Sequence, residues 1–448
     1  MDVTTRAAIV GTGSRAQLFT EGLALREHVE VAALCDPSPV RMAHHNRLLN
    51  EAGRASAHCY PPEAFSEMLR RERIDVVVVT TIDALHDAYI VPALEAGCRV
   101  VTEKPMTTDA QRCRRILDAV EATGGDLSVS FNYRFNPVHE LVHRELRSGV
   151  IGEVLSVHFE WLLDVRHGAD YFRRWHRERD KSGGLMVHKA SHHFDLVNWW
   201  LGARPERVFG FGRLGFYGRE NGERTGYRRD YERAHGSRAA ALDPFALHLE
   251  DNPGLSALYL AAEKDDGYLR DRNVFGGGIS IEDDMAVLVR YSTGASMSYH
   301  LTAYSPWEGY RVMFNGTGGR LELEVEESAW QRPHTRLTSD KGAVHGDTAL
   351  ENSGGPRILV RPLWKPPREV EIPEYDHAGH GGGDARMMRA LFDGGHGEHG
   401  GQGEHAQSAG APVANVVDGA LALAVGLAAN SAFVHGKAVD IDDVVRIK

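Results

Sequence analysis

The sequence predicts an α/β protein of two domains: a doubly wound parallel sheet comes first, and an open, mostly antiparallel sheet with helices on one face follows. Three observations predict this. Strand and helix patterns alternate up to residue 131, a glycine-rich turn follows the first strand, and later strand patterns succeed one another without intervening helices. Because 448 residues exceed the size of one usual core, we expect domains at 1–131 and 132–448.

The first domain contains five short apolar strand patterns separated by helical patterns, a density typical of doubly wound sheets. The predicted strands are 7–10, 29–35, 76–80, 99–102 and 127–131, and the predicted helices are 16–25, 40–50, 64–70, 89–96 and 109–121.

The second domain begins with a predicted helix at 138–147 and contains a longer predicted helix at 185–201. Its predicted strands are 153–161, 207–216, 279–291, 295–303, 310–315, 320–325 and a final 439–445, after a helix at 413–435. Residues 217–275 form a long excursion from the sheet, and loops of such length are usually functional or disordered. The low-complexity segment 394–410 is predicted to be a flexible surface loop.

Composition excludes several classes of function. The formal net charge is −11 and there is no block of basic residues, so nucleic acid and anionic membranes are poor partners. Four cysteines without C-x-x-C spacing argue against a disulfide framework or zinc ribbon. We see no export signal and no run of about 18 apolar residues, and we expect a cytoplasmic protein.

The turn GTGSRA at 11–16 lies between a predicted strand and a predicted helix, the context of a Rossmann dinucleotide site. Gly11 allows the tight turn, Gly13 lets the backbone approach the pyrophosphate, and Ala16 keeps helix and strand close. Asp36 ends the second strand, where a carboxylate binds the ribose and repels a 2′-phosphate. This favours NAD over NADP, although Arg41 nearby leaves NADP open.

The segment VVVVTTIDALHDAYIVPALEAGCRVVTEKPM (76–106) resembles the glucose–fructose oxidoreductase and inositol dehydrogenase family, Gfo/Idh/MocA. The resemblance continues through FNYRFNP (131–137) and GVIGEV (149–154). It implies a catalytic, cofactor-contacting Lys104 in the Glu103-Lys104-Pro105 motif. A lysine at the end of a parallel strand points towards the nicotinamide, and beside that cation it tends to lose its proton.

The segment SGGLMVHKASHHFD at 182–195 resembles a second signature of the same family. It implies that His192 is the general acid/base and that Asp195 is the final Asp of the motif. The usual Asp is replaced by His188, and the usual Gly by Ala190. Since His188 and His192 are four residues apart, we expect them on one helix face. The substitution at 188 puts the usual polyol chemistry in doubt.

A metal ion between these histidines is an alternative that the sequence weakens. The H-K-A-S-H spacing lacks the glutamate of a zincin motif, and no third ligand is evident, so we predict no metal. We expect His193 to be structural.

The turn, the ribose carboxylate and the family motifs together predict the binding residues. The predicted cofactor contacts are Gly11, Thr12, Gly13, Ser14, Arg15, Asp36, Thr80, Thr81, His86, Glu103, Lys104 and Asn132. Hydrogen-bonding and aromatic groups around the second signature suit a sugar, and the predicted substrate contacts are Tyr133, Asp164, Arg174, Trp175, His188 and His192. The GHGGGD segment at 379–384 is a further candidate border of the cleft.

The resemblance implies an NAD(P)-dependent dehydrogenase acting on a secondary alcohol of a sugar, cyclitol or derivative, with catalytic residues Lys104, His192 and His188. An alternative is a glycosidase or lyase of the same family that uses tightly bound NAD for transient oxidation. A sugar-responsive binding protein is a third possibility, which the presence of Lys104 and His192 disfavours. Family members commonly pair through the open sheet, so a homodimer or homotetramer is expected.

Overall fold

The computed structural model describes residues 4–331, 354–375, 381–393 and 413–447. The predicted loop at 394–410, and residues 379 and 380 of the GHGGGD segment, lie outside these ranges. Two sheets organise the described residues: one of seven strands and one of nine.

The first sheet has the order β15-β6-β5-β4-β1-β2-β3 and is parallel except for β15, which pairs antiparallel with β6. Its strands are β1 Thr5–Val10, β2 Val29–Cys35, β3 His58–Tyr60, β4 Val76–Val79, β5 Arg99–Thr102, β6 Leu127–Val129 and β15 Ala414–Asn415. The four valines of β4 are all buried, as expected for a strand covered on both faces. The sheet includes two short strands that the sequence pattern did not predict, β3 and β15.

Five helices of ordinary length connect these strands. They are α1 Ala16–Ala24, α2 Pro39–Glu51, α3 Phe65–Arg71, α4 His86–Glu95 and α5 Ala110–Thr123. The side chains of Ser38 and Asp109 cap α2 and α5 by accepting hydrogen bonds from Arg41 N and Arg112 N. The crossovers leave the carboxyl ends of the strands open at one edge of the sheet, where ligands bind in this architecture.

The second sheet has the order β14-β13-β12-β11-β7-β10-β9-β8-β16, and within it only β7 and β10 pair in parallel. Its strands are β7 Val154–Asp164, β8 Pro205–Arg213, β9 Asp284–Tyr291, β10 Ser296–Ser305, β11 Glu308–Gly316, β12 Gly319–Ser328, β13 Gly355–Pro362, β14 Arg368–Glu369 and β16 Val439–Asp440. Buried residues alternate with exposed ones along β9 and β10, so one face of the sheet packs on the core. The predicted mixed architecture of parallel and open antiparallel sheets is confirmed.

The remaining helices pack around the second sheet, lie in the excursion or, in the case of the helix at 383–392, pack on α1 of the first domain. They are α6 Pro137–Arg147, α7 Val165–Arg173, α8 Arg179–Ser182, α9 Leu185–His188, α10 Ser191–Leu201, α11 Arg219–Thr225, α12 Pro253–Leu255, α13 Glu263–Asp266, α14 Gly383–Phe392, α15 Val416–His435 and α16 Ile441–Val444. A π-helical turn covers Ser256–Leu260.

Helix α15 is long and apolar enough to cross a membrane, judged by its length and composition alone. Most of it is buried inside the protein, and a core helix passes the same test. Its glycines permit close packing: a Cβ on Gly426 would lie 2.5 Å from the carbonyl oxygen of Met186 in α9. The helix thereby supports the segment that carries His188.

Two predicted elements differ from the structure in kind, beyond shifts of their ends. The single helix predicted at 185–201 is two helices, because the chain makes a wider turn between them in which Ala190 N–H donates to Leu185 O. The expectation that His188 and His192 share one continuous helix face is therefore wrong. The strand predicted at 439–445 ends at Asp440, and α16 follows it.

Candidate functional site

A cavity of about 1380 Å³ lies at the carboxyl edge of the first sheet. Helices α9 and α10 and residues of the 217–275 excursion close its other side. The predicted site residues that line it are Gly11, Gly13, Ser14, Arg15, Asp36, Thr80, Thr81, Glu103, Lys104, Asn132, Tyr133, Arg174, Trp175, His188 and His192. Three predicted residues do not line it: Thr12, His86 and Asp164.

The glycine turn has the backbone shape that a dinucleotide requires. Gly11 has a φ of +84°, and a Cβ there would lie 2.6 Å from Thr81 N. The Thr80 hydroxyl donates to Gly11 O at 2.6 Å, which fixes the turn against the end of β4. Only glycine fits this close approach. The turn leads directly into α1, whose first backbone N–H groups can bind a phosphate.

Thr12 supports this turn from beneath. Its side chain is fully buried, its N–H donates to Asp36 Oδ2 at 2.7 Å, and its carbonyl oxygen lies 3.1 Å from His45 Nε2. Burial lowers the pKa of His45 to about 4, so the ring is neutral and bridges Thr12 O and the Thr20 hydroxyl.

One end of the cavity, which we name the acidic end, is lined by Asp36, Arg41 and Asp266, and Asp265 lies beside it. Asp36 Oδ1 accepts from Arg41 Nε at 3.0 Å, and Arg41 also pairs with Asp266 at 2.5 Å. The Ser38 hydroxyl donates to Asp265 Oδ2 at 2.5 Å. The excursion thus brings two further carboxylates to the edge where the sequence predicted only Asp36.

Arg15 connects the glycine turn to two other parts of the cavity. Its guanidinium donates to Glu103 Oε1 at 2.6 Å and forms an ion pair with Asp384 at 3.0 Å. Asn132 Nδ2 donates to the same Asp384 carboxylate at 2.8 Å. Asp384, the last residue of the GHGGGD segment, therefore borders the cavity as expected.

Lys104 and His188 meet at the centre of the cavity. Lys104 Nζ donates to the carbonyl oxygen of His188 at 3.1 Å, and His188 Nδ1 lies 2.6 Å from Asp83 Oδ2. Burial raises the pKa of Asp83 well above its usual value, although the nearby charges of Lys104 and Arg174 lower it. A carboxyl group thus accompanies His188, but it comes from the loop after β4 and not from the 182–195 signature.

Sequence reasoning missed Asp83. It lies between Thr81 and His86 of the family motif, and its partner is more than a hundred positions away, so no local spacing indicates the pair.

His192 packs among aromatic rings at the cavity wall. Its ring stacks on Tyr133 with centroids 4.3 Å apart and an angle of 13° between the planes, and it meets Phe131 edge-on. Lys189 Nζ donates to the Tyr133 hydroxyl at 2.9 Å beneath this stack. The packing fixes the orientation of the imidazole while leaving it at the cavity surface.

The other two residues outside the cavity lining have structural contacts. His86 is fully buried, with Nδ1 2.9 Å from Pro105 O and Nε2 3.2 Å from Thr81 O, so it joins two loops of the cofactor side. Asp164 caps α7 by accepting from Arg166 N and His167 N. We assign both to positioning the site.

Neighbours of His192 also have core contacts. His193 Nδ1 lies 2.6 Å from the Tyr299 hydroxyl and the ring stacks on Trp161, as expected for a structural histidine. Asp195 receives a bidentate ion pair from Arg134 at 2.7 and 2.5 Å. Burial raises the pKa of Asp195 to about 6 against the opposing effect of Arg134.

Within the described residues, no group of three or more His, Cys, Asp or Glu side chains is arranged to hold a metal ion.

Comparisons with known proteins agree with this geometry. A sequence model described as the NAD-binding Rossmann fold of an oxidoreductase family matches residues 5–131, and that family's C-terminal alpha/beta domain matches residues 144–420. The putative oxidoreductase YteT of Bacillus subtilis (strain 168) is 36% identical over 402 residues, which cover 85% of this chain and 87% of YteT.

Two further relatives match at lower identity. Inositol 2-dehydrogenase of Rhizobium meliloti (strain 1021) is 28% identical over 208 residues, covering 46% of this chain and 58% of that enzyme. The solved structure of levoglucosan dehydrogenase in complex with NADH has a TM-score of 0.64 at 16% identity, covering 98% of this chain and 99% of that one. The structural likeness shows a common fold.

Proposed function

The chain belongs to the Gfo/Idh/MocA family of NAD-binding oxidoreductases, and we propose that it is an NAD-dependent dehydrogenase acting on a secondary alcohol of a sugar, cyclitol or derivative. The observation that carries this proposal is that Lys104, His188 and His192 line the same cavity as the glycine turn. When bound, NAD would supply the hydride acceptor.

The residues of the turn fit a dinucleotide. Gly11 and Gly13 leave the approach to α1 open, and backbone N–H groups at a helix start favour a phosphate. Ser14 N–H already donates to an oxygen here, the hydroxyl of Tyr259 from the excursion, at 3.2 Å. This shows that the turn can present a donor to an oxygen in the cavity.

Lys104 and His192 would handle the proton of the reacting hydroxyl. Both groups line the cavity, one from the end of β5 and the other from α10. A hydroxyl between them can give its proton to a neutral imidazole or amine, and such groups contribute when they are within hydrogen-bond reach. The Asp83–His188 pair would orient the segment whose carbonyl oxygen holds Lys104 Nζ.

We propose NAD rather than NADP because of the acidic end. A 2′-phosphate there would approach Asp36 and Asp266, while the nearby Arg41 is already paired with both. A phosphate beside these carboxylates would be repelled by their negative charge, and this repulsion would weaken the binding of NADP. Titration of the protein with each dinucleotide should give a lower Kd for NAD; equal values would contradict this proposal.

The activity test is incubation with NAD and a panel of sugars and cyclitols, followed by NADH absorbance. We expect NADH to accumulate with some members of the panel. A protein that binds NAD but reduces none of it across the panel would contradict the dehydrogenase proposal.

A second candidate is a glycosidase or lyase that recycles its NAD, and the contacts of the excursion favour it. Tyr259, Asp265 and Asp266 reach across to Ser14, Ser38 and Arg41, so a dinucleotide beneath them would leave slowly. Glycoside cleavage without net NADH, by protein purified with its cofactor attached, would select this candidate.

We also propose that the chain pairs through the open sheet. Gly210 and Gly212 face Phe433 of α15, so Phe211 between them faces away from the helix, and it is more than half exposed. Leu288 on the adjacent strand is also more than half exposed. Apolar side chains on a sheet surface are typical of contact sites. Light scattering of the purified protein should report a dimer or tetramer.

A further inference from the structure

A second part of the cavity wall, formed by the end of α7, the segment that follows it and the excursion, is rich in arginine. We name Arg173, Arg174, Arg177 and Arg270 the arginine cluster. Arg173 ends α7, Arg174 follows it, Arg177 lies in the next turn, and Arg270 comes from the excursion. Arg177 and Arg270 are each only 1% exposed, and Arg174, Arg177 and Arg270 line the cavity.

Three guanidinium groups of this cluster share one carboxylate. Asp170 pairs with three of the guanidiniums, those of Arg173 at 3.3 Å, Arg174 at 2.9 Å and Arg270 at 2.8 Å. Arg177 donates only to backbone carbonyl oxygens, of Asn273 and Gly277. The three guanidinium groups therefore converge on a single carboxylate, which gathers paired hydrogen-bond donors in one place.

The groups around the cluster respond to this charge. Burial, followed by the charge of Arg272, lowers the pKa of Arg177 to about 9, although Glu178 acts in the opposite direction. Burial also lowers the pKa of His176 well below its usual value, and the charges of Arg174, His188, Lys104 and Arg270 act in the same direction. An anion near His176 would relieve these effects.

Buried nitrogen atoms in the cluster have unused donor or acceptor capacity. Within the described part of the chain, three such atoms have no hydrogen-bond partner: Arg177 Nε and Arg173 Nη2 of the cluster, and Nδ1 of the adjacent His176. Buried polar atoms are normally paired, so these atoms indicate a missing oxygen-rich partner.

The cluster lies beside the reacting centre. The rings of His176 and His188 are 4.1 Å apart, and Trp175 stacks on His176 at 3.6 Å. The Arg174 guanidinium lies 5.7 Å from the ring centre of Tyr171, whose ring is in turn 5.7 Å from His188. A group that touches the cluster can therefore belong to the same small molecule that reaches Lys104 and His192.

We propose, building on the dehydrogenase function above, that the substrate is an anionic sugar whose oxyanion binds Arg174, Arg270 and His176. A carboxylate, as in a uronic acid, and a phosphate share the required chemistry, since guanidinium groups bind both through paired hydrogen bonds. The hydroxyl carbon of the same molecule then lies against Lys104 and His192.

The test compares neutral and anionic sugars of one configuration: glucose, glucuronate and glucose 6-phosphate, and galactose with galacturonate. Calorimetry with the NADH-loaded protein measures binding without turnover, and NADH formation measures kcat/KM. We expect at least one anionic sugar to bind ~30-fold more tightly than its neutral partner, as for charge-assisted hydrogen bonds. Preference for the uronate or for the phosphate identifies the source of the anion.

Arg174→Gln should remove most of this preference, and Arg174→Lys should restore only part of it because a lysine lacks the paired donors. Arg320→Gln is the matched control, because Arg320 pairs with Glu322 on β12, away from the cavity. It should retain the full preference. Thermal unfolding of each variant identifies any that fails to fold.

Each outcome decides the inference separately from the proposed function. Equal binding of neutral and anionic sugars, or a preference unchanged in both Arg174 variants, overturns the anion site while NADH formation from any sugar still supports the dehydrogenase. Arg174-dependent binding of an anionic sugar without any NADH supports the anion site and contradicts the dehydrogenase.

Discussion

On the cofactor wall of the cavity, formed by the carboxyl ends of the first sheet's strands, most site residues directly follow a strand. Gly11 follows β1, Asp36 follows β2, Thr80 follows β4 and Glu103 follows β5. The substrate wall, formed by α7–α10 and the excursion, is assembled from residues far apart in sequence. Its Arg270 and Asp170 are a hundred positions apart, and His188 pairs with Asp83 of the other wall.

This difference indicates how each wall can vary. The cofactor wall depends on backbone shape, which a few residues fix locally, so it suits a ligand common to many enzymes. The substrate wall depends on side chains presented by helices and an excursion, and these can change without altering the parallel sheet. Four experiments test this contrast, from the largest expected effect to the smallest.

Removing the imidazole on the substrate wall should affect chemistry and not cofactor binding. For His192→Ala we expect kcat to fall ~10³-fold because the general acid/base is lost, while the Kd for NAD stays within about twofold. Steady-state kinetics and NAD titration check this. His435→Gln, at an exposed end of α15, is the control and should have normal kcat. A His192→Ala enzyme of normal kcat would remove His192 from the mechanism.

A backbone change on the cofactor wall should have the opposite signature. Gly11→Ala places a Cβ 2.6 Å from Thr81 N at a φ of +84°, so we expect the Kd for NAD to rise ~100-fold through strain and clash. Gly97→Ala is a matched control, because Gly97 has a φ of +82° but open space around its Cβ position. It should lose some stability and retain NAD affinity. Equal losses of affinity in the two variants would contradict the role of the close approach.

The pair that joins the two walls should act as a unit. Asp83→Asn and His188→Gln should each lower kcat on the order of 10-fold, and the double variant should be little worse than either one. The reason is that each change already breaks the same 2.6 Å contact. A double-mutant cycle of kcat measures this, and fully additive effects would show that Asp83 and His188 act independently.

Acid should destabilise both walls through a buried histidine beneath each. His45 lies under the glycine turn, and His139 lies 2.8 Å from Tyr133 O on the substrate side. Burial lowers the pKa of each to about 4. The unfolded chain therefore binds protons below about pH 6.5 that the folded protein does not, and stability present above that pH is lost as pH falls towards about 4.

When the pH falls from about 7 to about 5, the contribution of each histidine should lower the free energy of unfolding by about 2 kcal/mol. Denaturant unfolding at both pH values measures the loss, and His45→Gln or His139→Gln should each reduce it by that amount. Unchanged pH dependence in either variant would show that its imidazole does not stay neutral in the folded protein.

The sequence alone determined the parallel sheet, the glycine turn, the carboxylate that follows the second strand and the position of Lys104, because strand patterns and the residues that end them are local features. It also indicated His192 through a family signature. Only the tertiary structure separated α9 from α10, brought Asp83 to His188, and placed Asp266 and three arginines of the cluster in the lining of one cavity. Those contacts join distant segments, and nothing in their local spacing determines which side chains meet.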